Sequence, residues 1–134
     1  MTNKYTNLQK DFHSIFSASE WTAENIKTFP TNFIGTVPSK EYIRVSILPS
    51  GEGIDIRSVS GQAMIDIFVP AGAGPLRASQ IADRLDNYLV GRSLKLSSGH
   101  TQFHNSTLSD FGIDKANPSL FRSIYSIPFN HFGV

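Results

Sequence analysis

The segment that most restricts the fold is residues 61–86, GQAMIDIFVPAGAGPLRASQIADRLD, where a strand pattern changes to a helical one. Between positions 63 and 69, Ala, Ile, Ile and Val alternate with Met, Asp and Phe, which is the period of a half-buried strand. Pro70 cannot donate a hydrogen bond to a sheet, so the strand is expected to end there. The apolar residues after Leu76 then fall on one helical face, at Ala78, Ile81, Ala82, Leu85, Tyr88 and Leu89.

The AGAG sequence between the two patterns predicts a sharp turn, because glycine adopts backbone conformations that other residues avoid. We expect Gly72 or Gly74 to have a positive φ, so that valine at either position would strain the backbone by about 1–3 kcal/mol. A glycine-rich turn between strand and helix is also found in dinucleotide-binding sites. Here the third glycine of that fingerprint would fall at Arg77, which favours a purely structural turn.

Composition excludes several classes of protein. A chain of 134 residues with 40% hydrophobic residues can bury a core as one domain, spanning 1–134. The absence of cysteine excludes a disulfide scaffold, a thiol nucleophile and a thiolate metal site. A formal net charge of +1 gives no electrostatic footprint for nucleic acid or an anionic membrane. The first residues lack the apolar run of a signal peptide, so we expect a soluble protein made in the cytosol.

The rest of the chain predicts one further helix and several strands. Residues 5–16 have helical spacing, whereas residues 19–41 contain two prolines and predict an irregular crossing segment. A strand is expected over 42–48, a turn over 49–53 and a weak strand over 54–59. After the second helix, which Gly91 should end, we expect strands at 94–96, 101–108 and 120–127. Pro128 should close the last of these strands, and residues 110–119 should form a connection.

This order of elements predicts an α+β fold. Helix, strands, helix and strands are typical of an antiparallel-rich β-sheet with two α-helices packed on one face. The C-terminal sequence IPFNHFGV is expected to be the last apolar cover of the core, although a docking tail is the alternative.

No catalytic motif is recognisable, and we predict no catalytic residue, no metal and no cofactor. No serine lies in a nucleophile elbow, and no serine, histidine and aspartate have the spacing of a catalytic set. His100 and His104 are four residues apart in a polar stretch, with Asp110 nearby as a possible further ligand. Two surface histidines are the favoured interpretation, because no third ligand is paired with them.

Asp66 is unusual because it lies on the central strand beside Phe68. A carboxylate there needs a partner, which Arg44 or Arg122 on flanking strands could supply, within the sheet or across a subunit boundary. A solvated sheet face is the alternative explanation.

Two stretches of the sequence resemble the tail terminator (tail-completion) proteins of long-tailed bacteriophages. One is YIRVSILP at 42–49, a strand ending in a proline turn, and the other is the IxIFVPxGxG run at 65–74. The helix that carries Ala82, Asp83 and Leu85 follows at the spacing that those proteins show, and residues 21–32 resemble their link between the first helix and the first strand. The resemblance covers about residues 5–90 and does not extend to residues 91–119.

The resemblance implies a structural virion protein without enzymatic activity. Such a protein forms a ring, typically a hexamer, that caps the tail tube, ends its polymerisation and presents a surface for joining the head. Its partners would be further copies of itself, the tail tube protein and a head-completion or connector protein, with DNA only passing through the ring and no membrane. It would be located at the head-proximal end of the virion tail, after assembly in the host cytoplasm. Another head–tail connector, a tail tube protein, or a small ligand-binding α+β domain are the alternatives.

A ring is built from heterologous contacts, and the polar hairpin at 49–61 is well placed to reach a neighbouring subunit. Its apolar anchors are Ile54, Ile56 and Val59, which lie beside Arg57. We therefore predict a subunit interface that includes this hairpin and the polar strand faces, with the residues Arg44, Ile54, Ile56, Arg57, Asp66 and Arg122.

Overall fold

The computed structural model describes residues 4–30, 41–52, 58–96, 99–115 and 118–133. Within them lie three helices and seven strands. The helices are α1 Lys4–Ser17, α2 Ser19–Thr22 and α3 Gly74–Leu89. The strands are β1 Lys27–Pro30, β2 Tyr42–Glu52, β3 Ser58–Pro70, β4 Ser93–Leu96, β5 Gly99–Phe103, β6 Thr107–Ile113 and β7 Leu120–Gly133.

The strands form a single sheet in the order β1-β2-β3-β7-β5-β4, and β6 also pairs with β7. β1 and β2 are parallel, and every other described pair is antiparallel. β3 and β7 are the long central pair, in register from Ser58 opposite Phe132 to Pro70 opposite Leu120. β5 and β6 follow each other along the other edge of β7, so that edge changes its partner strand between Phe103 and Thr107.

Both long helices contribute to one hydrophobic core with the sheet. The ring of Phe12 in α1 makes edge-to-face contacts with Phe103 of β5 and Phe129 of β7, at centroid distances of 5.0 and 5.6 Å. Ile81 and Leu85 of α3 are fully buried in the same cluster. The predicted α+β fold, with a mostly antiparallel sheet and one compact domain, is therefore confirmed.

The strand–turn–helix prediction is confirmed at the centre of the fold. β3 ends at Pro70, α3 begins at Gly74, and Val90 and Gly91 follow its last residue. Gly74 has a φ of +53°, whereas Gly72 is not among the glycines with a positive φ. The expected backbone strain therefore applies to Gly74 and not to Gly72.

The predicted irregular segment at 19–41 is wrong in its first part. Trp21 lies in the short helix α2, and its indole Nε1 donates a hydrogen bond of 2.9 Å to the hydroxyl of Thr28 in β1. β1 pairs in parallel with β2, and four-residue elements of this kind have too few residues for a recognisable period. Residues 31–40 lie outside the described residues.

Four other features of the strands also differ from the predictions. β2 continues past Leu48 to Glu52, with an irregularity in the pairing between Pro49 and Gly51. Ser60 and Gly61 do not separate two strands but lie within β3. The expected connection at 110–119 begins later, because β6 extends to Ile113, and the single edge strand expected over 101–108 is divided between β5 and β6. In each case a proline, a glycine or weak alternation predicted the end of a strand. Pairing with the long strands β3 and β7 overrides this local preference.

Pro128 does not close the last strand, since β7 continues to Gly133. β6 pairs with β7 up to Ser126, and β5 pairs with it from Phe129 onward. Pro128 therefore lies where the outer edge of β7 has no ladder to either strand, and its carbonyl oxygen accepts a hydrogen bond of 3.0 Å from the amide of His104. The nitrogen of Pro128, which has no hydrogen to donate, faces this junction, so the proline costs the sheet no hydrogen bond.

Candidate functional site

Asp66 and Arg122 form the centre of a polar array on the sheet face opposite the main core. The guanidinium of Arg122 donates to Asp66 Oδ1 through Nη2 at 2.9 Å and Nε at 3.3 Å. The same guanidinium lies 5.8 Å from the ring centre of Phe68 and 5.6 Å from that of Phe111. This cross-strand pair was one of the two predicted partners for Asp66, and the aromatic rings stabilise the cation further.

Arg44 lies directly opposite Asp66 on β2, yet no ion pair joins the two described side chains. The Nε atom of Arg44 is buried and has no hydrogen-bond partner among the described residues. Beside it, Tyr42 stacks on Phe68 with the ring centres 4.6 Å apart, and both are buried. The array therefore combines two arginines and one carboxylate, which lie beside the stacked rings of Tyr42 and Phe68.

The other predicted interface residues are not brought to this array by anything the structure describes. Ile54, Ile56 and Arg57 lie outside the described residues. The strands that lead to them are paired from Gly51 opposite Ser60 to Glu52 opposite Val59. The hairpin interface thus stays a prediction.

The two candidate histidines do not converge. His100 in β5 packs on the ring of Phe132, with ring centres 5.0 Å apart. His104 follows β5, and its Nε2 lies 2.7 Å from the side-chain amide nitrogen of Asn130. Asp110 instead accepts a hydrogen bond of 2.7 Å from Ser123. Among the described residues, no group of three histidine, aspartate or glutamate side chains could hold a metal ion.

A cleft of about 490 Å³ lies between α1, α2 and α3. It is lined by Ser14, Ile15, Ala18, Glu20, Tyr88 and Arg92. Neither the glycine turn nor either candidate histidine lines it, so the residues that suggested a ligand-binding domain do not form this cleft. None of the described helices is both long and apolar enough to cross a membrane.

A buried polar trio that the sequence did not predict lies between α1 and the sheet. Thr101 of β5 donates a hydrogen bond of 2.9 Å to Asp11 Oδ2, and its hydroxyl lies 2.8 Å from His131 Nδ1. All three side chains are fully buried. One signal was available in the sequence: Asp11 lies within the apolar stripe of α1, between Leu8 and Phe12.

The hydroxyl of Thr101 has one proton, which it gives to the carboxylate, so it accepts from Nδ1–H of His131. Asp11 Oδ1 and His131 Nε2 are buried without a hydrogen-bond partner among the described residues. Since no described side chain of the trio is exposed, the arrangement resembles a catalytic set only in residue type, and we assign it to the docking of α1.

The trio predicts a stability that depends on pH. Burial lowers the pKa of His131 below its usual 6.5, more than nearby Asp11 raises it, and His100 lowers it slightly further. Because unfolded chains bind the extra proton first, the free energy of unfolding should fall as the pH drops from 6.5 toward the folded-state pKa. The loss should approach about 1.4 kcal/mol per pH unit. Urea unfolding of the wild type and of His131→Gln between pH 5 and 7.5 measures it.

The His131→Gln variant should lack this part of the pH dependence, whereas His13→Gln, at an exposed position of α1, should retain it. An equal dependence in His131→Gln and the wild type would contradict the assignment.

The flank formed by α3 and β6 exposes several large apolar side chains. Leu76 at the start of α3 is 71% exposed, and Leu108 and Ile113 of β6 are 37% and 54% exposed. β6 is held to the helix by Asp86, whose Oδ1 accepts hydrogen bonds of 2.6 Å from Ser106 and from Tyr125. Burial and this bond to Asp86 raise the pKa of the Tyr125 hydroxyl, so it remains a donor.

Comparison with known proteins establishes the fold alone. No family model matches the chain, and no curated protein matches it. A solved structure that carries no descriptive name is similar, with a TM-score of 0.71 and 17% sequence identity over 94% of this chain and 96% of that chain. A likeness at this identity supports the arrangement of helices and strands and carries no activity.

Proposed function

We propose that this chain is a structural virion protein that forms a ring, as the tail terminators of long-tailed phages do. The ring, a hexamer in this proposal, caps the tail tube, ends its polymerisation and presents a surface to the head-completion or connector protein. DNA passes through its centre, and the protein has no enzymatic activity, cofactor or membrane partner.

The observation that supports assembly is the exposed apolar flank of α3 and β6. Exposed apolar side chains that cluster in one place mark protein–protein contact sites. Three of the six exposed large hydrophobic residues among the described positions lie there, at Leu76, Leu108 and Ile113.

The observation that supports the tail terminator class is the position of the resembling segment. The IxIFVPxGxG run at 65–74 forms the second half of β3 and the start of α3. β3 pairs with β2 on one side and with β7 on the other, so this unit belongs to the centre of the fold and is not an appendage.

The oligomeric state of the purified protein tests the proposal. Sedimentation velocity should give a closed species near 89 kDa, which is six times the 14.8 kDa chain, and negative-stain electron microscopy should show rings. Added to polymerising tail tube protein from the same phage, the ring should shorten the tubes and appear at one end. Tubes of unlimited length formed by this chain alone would contradict the proposal and favour a tail tube protein.

The ligand-binding alternative gives a different result. A nucleotide or a divalent metal that binds the native state raises the melting temperature, with about 2.7 kcal/mol of stabilisation at a hundredfold excess over Kd. We expect no shift with either class of ligand. A shift together with a monomeric protein would overturn the structural role.

A further inference from the structure

The α3–β6 flank has an acidic rim around its apolar residues. We define this flank by Leu76 and Asp83 of α3 and by Leu108, Asp110 and Ile113 of β6. All five side chains are exposed. The flank is thus an apolar surface with negatively charged residues at its edge, and this charge restricts which partner surface can bind there.

The sheet register shows that these residues share one side. Leu108 is opposite Tyr125 and Ile113 is opposite Phe121, and both partners contribute to the core under the helices. Side chains of directly opposite residues point to the same face of a sheet. Leu108 and Ile113 are therefore on the helix side of β6, beside α3.

The helical period places the α3 residues on the same flank. Asp86 contacts Ser106, the residue that precedes β6. Asp83 and Leu76 are seven residues apart and project in nearly the same direction, about 60–80° around the helix from Asp86 and away from the buried face of α3.

Its negative charge has no compensation from the elements that form it. β6 contains no lysine or arginine. The two arginines of α3 are paired elsewhere, Arg77 with Glu41 at 2.7 Å and Arg84 with Glu24 at 3.3 Å. Apolar side chains with an acidic rim fit a partner that is apolar and cationic.

The solvent-exposed side of α1 has that chemistry. Tyr5 is 57% exposed, and the Lys4 ammonium lies 5.2 Å from the centre of its ring. Lys10 is also exposed, about 140° around the helix from Tyr5, so the two residues lie at opposite edges of the exposed side. The only acidic residue of α1, Asp11, is fully buried in the trio with Thr101 and His131, so it does not offset these cations at the surface.

We propose that the α3–β6 flank of one copy docks against the exposed side of α1 of a second copy. The inference rests on the proposed ring, because it names the two subunit surfaces that meet. The contact joins two different surfaces and is heterologous, so repetition of it generates a ring where the rotation closes. Apolar burial of Leu76, Ile113 and Tyr5 supplies affinity, and the charges fix the orientation.

A reciprocal charge reversal tests the contact. Asp83 and Lys10 are exposed and have no described hydrogen bond or ion pair within the chain. Asp83→Lys and Lys10→Glu should each raise the dissociation constant of self-association about tenfold or more, measured by sedimentation velocity. The double variant Asp83→Lys with Lys10→Glu restores opposite charges and should return the constant toward the wild-type value.

The apolar part has its own matched pair. Ile113→Ser removes an exposed side chain of the flank, and Leu48→Ser removes one that is 46% exposed on β2, outside the flank. The first should weaken self-association and the second should not. Glu20→Lys, an exposed charge reversal outside both surfaces, controls for a general effect of net charge.

Two results would overturn the contact. One is a wild-type protein that stays monomeric at its highest soluble concentration, and the other is an oligomer that none of the flank or α1 variants weakens. If rings persist in every variant, the contact is wrong and the proposed function stands. If the charge-swap behaviour appears in a dimer or an open chain that never closes, the contact is right and the ring is wrong.

Discussion

Replacing Thr101 with valine should lower the free energy of unfolding by about 3 kcal/mol, although the two side chains are nearly equal in volume. The hydroxyl of Thr101 is the group that connects Asp11 and His131, at 2.9 and 2.8 Å. Valine would remove both bonds and leave a carboxylate and an imidazole facing each other at 3.4 Å in a fully buried site. A buried charge that loses its hydrogen bonds costs far more than the bonds themselves contribute.

Chemical denaturation of Thr101→Val measures this loss. Thr107→Val is the matched control, because Thr107 is exposed on β6 and should change stability by less than about 0.5 kcal/mol. A loss below about 1 kcal/mol for Thr101→Val would show that the hydroxyl does not hold the trio together.

The same substitution has a consequence for assembly. The trio connects α1 to β5 and β7, and the exposed side of α1 is one of the two surfaces that we propose to meet in the ring. Thr101→Val should therefore loosen α1 and weaken self-association even at temperatures where the sheet stays folded. Hydrogen exchange of the α1 amides in Thr101→Val would report that local opening.

The centre of the fold could be predicted because a strand period and a helical period meet there, separated by a proline and a glycine-rich turn. Strand alternation up to Val69, a proline, a glycine turn and a helical stripe all agree, and β3 and α3 end and begin within two residues of the expected positions. The pairing of Asp66 with an arginine of a flanking strand could also be predicted. A charged residue on an otherwise apolar strand requires a partner at a cross-strand position.

The features that could not be predicted depend on distant contacts. Pro128 lies inside β7 because β5 and β6 share one edge of that strand and leave a gap there, a fact of topology that no local pattern encodes. Asp11 was a visible interruption of an apolar stripe, but its partners are 90 and 120 positions away in the sequence. The apolar flank also depends on distant contacts, since β6 is placed beside α3 by its pairing with β7.

A methyl group at Gly61 should also be strongly destabilising, for a reason that concerns space and not backbone conformation. Gly61 lies opposite Pro49 where the pairing of β2 with β3 becomes irregular. A Cβ atom there would overlap the carbonyl oxygen of Leu48 and lie 2.9 Å from Cα of Pro49. Both obstacles are backbone atoms, so a change of rotamer cannot relieve the overlap. We expect Gly61→Ala to cost about 3 kcal/mol, at the upper end of the range for overpacked sites.

Gly72→Ala is the control for that loss, because a Cβ at Gly72 meets no atom within 4 Å. It should be neutral or slightly stabilising, since alanine restricts the unfolded chain more than glycine does.

The Gly61 variant also distinguishes the two surfaces proposed for assembly, the hairpin at 49–61 and the α3–β6 flank. Displacing β2 from β3 at Gly61 should disturb the paired strand ends that lead into the predicted hairpin at 49–61, and it should leave β6, α1 and their charges in place. If folded Gly61→Ala still forms rings, the subunit contact does not need the native hairpin, whereas monomers that fold normally would assign the contact to the hairpin and count against the α3–β6 flank.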